Sequence, residues 1–115
     1  MQLSDDEITE LLTKWQSERT SLLVRWMAGG RGRLFGSTIG CSLFNAVVES
    51  ARAPVEFKSG DRGEVVIDMS KAKVESTSHT EIPSSFIVPS DARYGTVLKA
   101  TLPDGSICWI AEFTN

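Results

Sequence analysis

The sequence predicts an α+β fold that is mostly β, either a small antiparallel β-barrel or a strongly curved sheet, with one amphipathic helix at its N-terminus. Helical periodicity of apolar residues is confined to residues 4–18, whereas residues 21–114 carry short alternating runs separated by turn signals. The chain has 115 residues, close to the commonest size of a domain, so we expect a single domain, 1–115.

The helix is predicted over residues 4–18 from a capping signal and an apolar stripe. Ser4 precedes three acids that end at Glu7, so Ser4 and Glu7 can exchange side-chain and backbone hydrogen bonds in a capping box. The stripe that follows has the helical spacing i, i+3, i+4, i+7: Ile8, Leu11, Leu12, Trp15. We expect it to pack on the domain's own sheet, and the alternative is a homodimer formed through the helix.

The first three strands are predicted on either side of an Arg/Gly-rich stretch. Residues 22–28 are apolar at alternate positions on both faces, which is typical of a strand covered on both sides. Gly29 and Gly30 indicate a turn, after which Arg33–Ile39 is expected to return as a second strand and Leu43–Glu49 to form a third.

The later strands follow from shorter patterns. We expect a fourth strand around Val55 and Phe57, a fifth in which Val65, Ile67 and Met69 share a face, another at Lys73–Thr77, and an edge strand or buried loop at Phe86–Val88. Pro103-Asp104-Gly105 separates two apolar runs, 96–102 and 106–113. This tripeptide predicts a hairpin, because Pro presets φ, Asp bonds its own backbone and Gly accepts a positive φ.

Composition limits the classes of protein. No apolar run approaches the roughly 20 residues that span a bilayer, and the acidic N-terminal segment lacks the features of a signal peptide, so we expect a cytoplasmic protein without membrane contact. Two Cys and one His exclude a disulfide-dense scaffold and most zinc sites. We expect no cofactor and no metal. Cys41 and Cys108 are expected to be reduced and buried, although they could pair if their strands were adjacent.

The sequence contains no recognisable catalytic constellation. His79 lies in a stretch rich in Ser and Thr, where a solvated loop residue is the simplest interpretation. Glu64 and Asp68 would share one strand face and, with His79, are the residues that an enzyme would use. The expectation is that the protein is not an enzyme.

Charge is the most informative feature. Residues 19–48 hold four arginines and no acid, so this window carries +4 and the rest of the chain carries −7, for a total of −3. Arginine binds phosphate and carboxylate in bidentate fashion, and glycines allow a backbone to approach an anion closely. We therefore predict an anion- or partner-binding loop, whose candidate residues are Arg25, Gly30, Arg31, Gly32 and Arg33. The alternative is a solvent-exposed hairpin tip with no ligand.

One stretch resembles a known family. Residues 33–40 read RLFGSTIG, and GDRGEVVI follows at 60–67, a layout similar to the strands of PilZ-type domains, six-stranded β-barrels of which many bind cyclic di-GMP. Ser37 and Gly40 match the family motif [D/N]-x-S-x-x-G, whose first position is Phe35 here. The family's R-x-x-x-R motif is absent. The resemblance therefore implies a barrel and a member that has lost the paired arginines, and it adds Ser37 to the candidate site.

The function that these observations favour is a non-catalytic binding or protein-interaction domain that uses the Arg/Gly-rich hairpin. Its partner would be a protein or another anionic ligand. A degenerate PilZ-like sensor of a nucleotide or nucleic acid is the alternative, although the acidity of the chain as a whole argues against nucleic acid.

Overall fold

A computed structural model describes residues 2–27, 33–34, 37–38, 40–52, 54–60, 63–78, 80 and 93–114. Within these residues the chain forms one α-helix, one short 3-10 turn and nine strands. The elements are α1 (Asp5–Glu18), β1 (Leu22–Met27), β2 (Arg33–Leu34), β3 (Ser37–Thr38), β4 (Gly40–Ser50), β5 (Val55–Lys58), β6 (Glu64–Ile67), the 3-10 turn Met69–Lys71, β7 (Lys73–Thr77), β8 (Arg93–Thr101) and β9 (Ile107–Thr114).

Seven of these strands form one antiparallel sheet in the order β6-β5-β4-β1-β9-β8-β7, and β2 and β3 form a separate two-stranded ladder. The sheet is curved and does not close. The predicted fold class, α+β and mostly β with a strongly curved sheet, is confirmed.

The helix begins where the sequence predicts. Ser4 is its N-cap: the Ser4 N–H donates to Glu7 Oε1 at 3.0 Å and the Glu7 N–H donates to Ser4 Oγ at 3.2 Å. Three members of its apolar stripe are buried in the chain's own core: Ile8, Leu12, Trp15. A homodimer through this face therefore has no support in the structure.

Two side chains fasten the second half of α1 to the sheet. The indole N–H of the fully buried Trp15 donates to Glu112 Oε1 on β9, and Gln16 Nε2 donates to the Glu49 carbonyl on β4 at 2.8 Å. The helix thus lies over the middle of the sheet, and we call the surface beneath it the helix-facing side and the opposite surface the far side.

The central strand β1 is buried on both sides, as the sequence predicts. Leu22 and Val24 belong to the large core beneath α1, whereas Leu23 packs on the far side in a smaller cluster with Val97 and Ala111. Every residue from Leu22 to Arg25 is buried.

The hairpin around Pro103-Asp104-Gly105 is confirmed. The Gly105 N–H donates to the Leu102 carbonyl at 2.9 Å, the Leu102 N–H donates to the Ser106 carbonyl at 2.8 Å, and Gly105 has φ 87°. Asp104 Oδ1 accepts from the Ser106 N–H at 2.8 Å. The geometry is that of a three-residue loop with a glycine bulge, which joins β8 to β9.

Other strand predictions need adjustment. The fifth strand ends at Ile67, because Asp68 caps the 3-10 turn that begins at Met69. Lys73–Thr77 is a strand at the edge of the sheet. The segment Phe86–Val88 lies outside the described residues.

The two cysteines occupy strands that are not adjacent. Trp26 on β1 is opposite Cys41 on β4 and, on its other side, opposite Cys108 on β9. Two interstrand spacings amount to roughly 10 Å, which exceeds the Cα separation of up to about 7 Å that a disulfide needs. The spacing therefore excludes a disulfide between these two residues, and Cys108 is fully buried in the core.

Candidate functional site

The Arg/Gly-rich stretch connects two strands that are neighbours in the sheet. The β1–β4 ladder reaches its end at the pair Met27 and Gly40. Beyond that pair, the chain forms a second antiparallel ladder in which Arg33 is opposite Thr38 and Leu34 is opposite Ser37. The stretch connects β1 to β4 in the chain, and we call residues 28–39 the hairpin extension.

This ladder corrects one prediction. Arg33–Ile39 was expected to run as a single strand, but the pairing of residues 33–34 with 37–38 means that the chain reverses between Leu34 and Ser37. Arg33 and Ser37, both candidates from the sequence, thus lie on the two facing strands of one ladder.

Much of the predicted site lies outside the described residues. Gly30, Arg31 and Gly32 are not among them, and for Arg33 and Ser37 the structure describes only the backbone. The prediction that these five residues bind an anion or a partner stays a prediction.

Arg25 is separated from the others. It lies within β1, is 3% exposed, and donates from Nη1 to the Trp26 carbonyl at 3.3 Å. It lies on the far side of the sheet, opposite Trp109 of β9, and its side chain is buried there. Arg25 therefore does not belong to an exposed loop with Arg31 and Arg33.

The arginine window as a whole does not form one surface. Arg19, its first member, is the exposed C-cap of α1 and adopts the left-handed conformation with φ 50°. With Arg25 enclosed in the sheet and Arg19 at the end of the helix, the cationic residues that remain for a common site are Arg31 and Arg33.

Trp109 is a neighbour of Arg25 that the sequence did not reveal. It is opposite Arg25 on one side and Lys99 of β8 on the other, so the three side chains form a row on the far side of the sheet. Trp109 is 5% exposed, and its indole N–H has no hydrogen-bond partner among the residues that the structure describes. Trp26, the next residue along β1, packs against the core on the helix-facing side.

Of the two carboxylates that an enzyme would use, Asp68 caps the 3-10 turn. Asp68 Oδ1 accepts from the Ser70 hydroxyl at 2.5 Å and from the Ser70 N–H at 3.2 Å, and these bonds, the hydroxyl one first, lower the pKa of Asp68. Glu64 is exposed on β6, and His79 is outside the described residues. Within the described part of the chain, no three His, Cys, Asp or Glu side chains group so that they could hold a metal ion.

Two crevices flank α1. One, of about 190 Å³, lies between the start of the helix and the segments around Val55 and Met69. The other, of about 350 Å³, lies between the helix and strands β7 and β8, and it is bordered by Leu3, Leu11 and Thr96. Among the residues that the structure describes, Arg25 of the predicted site lines neither crevice.

The comparisons with known proteins add no relative. No family model, curated protein or solved structure matches the chain. In the part of the chain that the structure describes, no helix combines the length and the apolar character that a bilayer crossing requires.

Proposed function

We propose that the protein is a non-catalytic binding domain that recognises an acidic or phosphorylated protein segment through its hairpin extension. The observation that carries the proposal is the position of this extension. It connects β1 to β4 in the chain beyond the pair Met27 and Gly40, and its sequence contains Arg31 and Arg33 in a stretch without any acid.

The architecture suits such a role. The ladder of β2 and β3 is separate from the large sheet, and it holds the backbone of Arg33, two residues after Arg31 in the sequence. A guanidinium presents a planar fork of donors that matches a carboxylate or a phosphate, and the neighbouring glycines leave room for a partner's backbone. The remainder of the chain carries a net negative charge, which favours an approach of an acidic partner at the extension and disfavours it elsewhere.

A nucleotide ligand is the second candidate. Ser37 stands in the register of the serine of the PilZ-type motif and is opposite Leu34, next to Arg33, on the same small ladder. The missing R-x-x-x-R pair argues against a dinucleotide clamp. Cyclic di-GMP therefore belongs among the probes as the ligand that would favour this alternative over a protein segment.

The test compares two double variants that change the net charge equally. Arg31→Ala/Arg33→Ala removes the proposed contacts, and Arg52→Ala/Arg93→Ala removes two arginines at exposed positions elsewhere. The probes are a fluorescein-labelled octaglutamate peptide, a phosphoserine peptide of equal length and cyclic di-GMP, and binding is measured by fluorescence anisotropy and calorimetry at 50 and 200 mM NaCl. Two exposed charge pairs are worth up to about 1 kcal/mol each, so the first variant is expected to bind a peptide up to roughly 30-fold more weakly.

The control variant should bind like the unmodified protein, and both variants should keep its melting temperature, because exposed substitutions rarely change stability. If the two variants weakened peptide binding equally, the effect would come from net charge alone, and the proposed binding site would be rejected. The absence of saturable binding to either peptide would reject the proposed partner, and binding of cyclic di-GMP alone would replace it with the nucleotide.

A further inference from the structure

We draw no further inference here: the strongest candidate, the outer edge of strand β6 with the exposed side chain of Val66, carries none because nothing among the residues that the structure describes shows what covers this edge.

Discussion

The side chain of Glu112 lies against Gly95, and its carboxylate accepts a hydrogen bond from the indole of Trp15. A Cβ atom at position 95 would stand 2.5 Å from Glu112 Oε2, so a side chain there is incompatible with the present course of Glu112. The φ angle of Gly95 is not positive. Glycine is therefore needed at this position because it has no side chain, and not because of its backbone conformation. A single glycine on β8 thus permits a carboxylate on β9 to accept from a fully buried donor on α1.

Gly95→Ala is expected to destabilise the fold. The added methyl displaces the Glu112 carboxylate and leaves the buried Trp15 N–H without its acceptor, which costs about 1–3 kcal/mol of the free energy of unfolding. Urea denaturation measures the loss. In a Glu112→Ala background the acceptor is already absent and the space is open, so there Gly95→Ala should be nearly neutral. The same cost in both backgrounds would contradict this explanation.

At the scale of elements, the β8–β9 hairpin shows how a short sequence signal sets the register of two strands. Gly105 occupies the one position of the loop with a positive φ, 87°, and Asp104 satisfies the Ser106 N–H beside it. The turn thereby places Ala100 opposite Cys108 and Leu98 opposite Ile110, which directs both pairs to the core beneath α1. The turn at this tripeptide therefore sets the register of the β8–β9 ladder, the longest in the sheet.

Gly105→Ala is expected to lower the free energy of unfolding by about 1–2 kcal/mol, because an L-residue in the left-handed region brings its Cβ close to the following carbonyl. Gly105→Asn should cost less, since asparagine tolerates this region better than alanine does. Both values come from chemical denaturation. An asparagine variant no more stable than the alanine variant would show that the backbone conformation at residue 105 is not the origin of the loss.

The features predicted from sequence are those whose cause is local. The capping box involves Ser4 and Glu7, and the hairpin loop involves residues 103–105, so the determinants lie within a few residues of each other. β1 and β9 pair although they lie at opposite ends of the β region in the sequence, so no local pattern predicts this pairing. For that reason the sequence did not bring Trp109 beside Arg25, and it left open whether Cys41 and Cys108 could meet.

The candidate site was predicted less well for a related reason. The excess of arginine is visible in the composition of residues 19–48, but the direction of each side chain follows from strand alternation and helix capping. Those two effects enclose Arg25 in the sheet and place Arg19 at the end of α1. A charge count therefore identifies the hairpin extension as cationic, and it cannot assign all four arginines to one surface.

At the scale of the whole molecule, three carboxylates at separate places each hold the start of a turn or helix. Glu7 accepts from Ser4, Asp68 from Ser70 and Asp104 from Ser106. The hydrogen bonds lower the pKa of all three: the backbone bond is the main cause for Glu7 and Asp104, and the Ser70 hydroxyl is for Asp68. Because α1, the 3-10 turn and the β8–β9 hairpin all depend on such an acceptor, the fold as a whole is linked to pH.

The sign of this linkage follows from the shifts. In the unfolded chain the three groups titrate near their ordinary values, 4.5 for Glu and 3.8 for Asp, and in the folded chain they titrate lower. The unfolded state therefore binds more protons in this window, so the contribution to stability is complete above the unfolded pKa values and is lost as the pH falls through the folded ones. The melting temperature of the protein should accordingly drop between pH 6 and pH 3.

The variant Glu7→Gln/Asp68→Asn/Asp104→Asn tests this cause. Its side chains no longer titrate, so the difference between its melting temperatures at pH 6 and pH 3 should be smaller than that of the unmodified protein. A matched variant, Glu10→Gln/Glu56→Gln/Glu64→Gln, removes three exposed carboxylates that cap no element and should keep most of the difference. If both variants reduced the pH dependence equally, the acid lability would come from net charge, because only the first variant replaces the capping carboxylates.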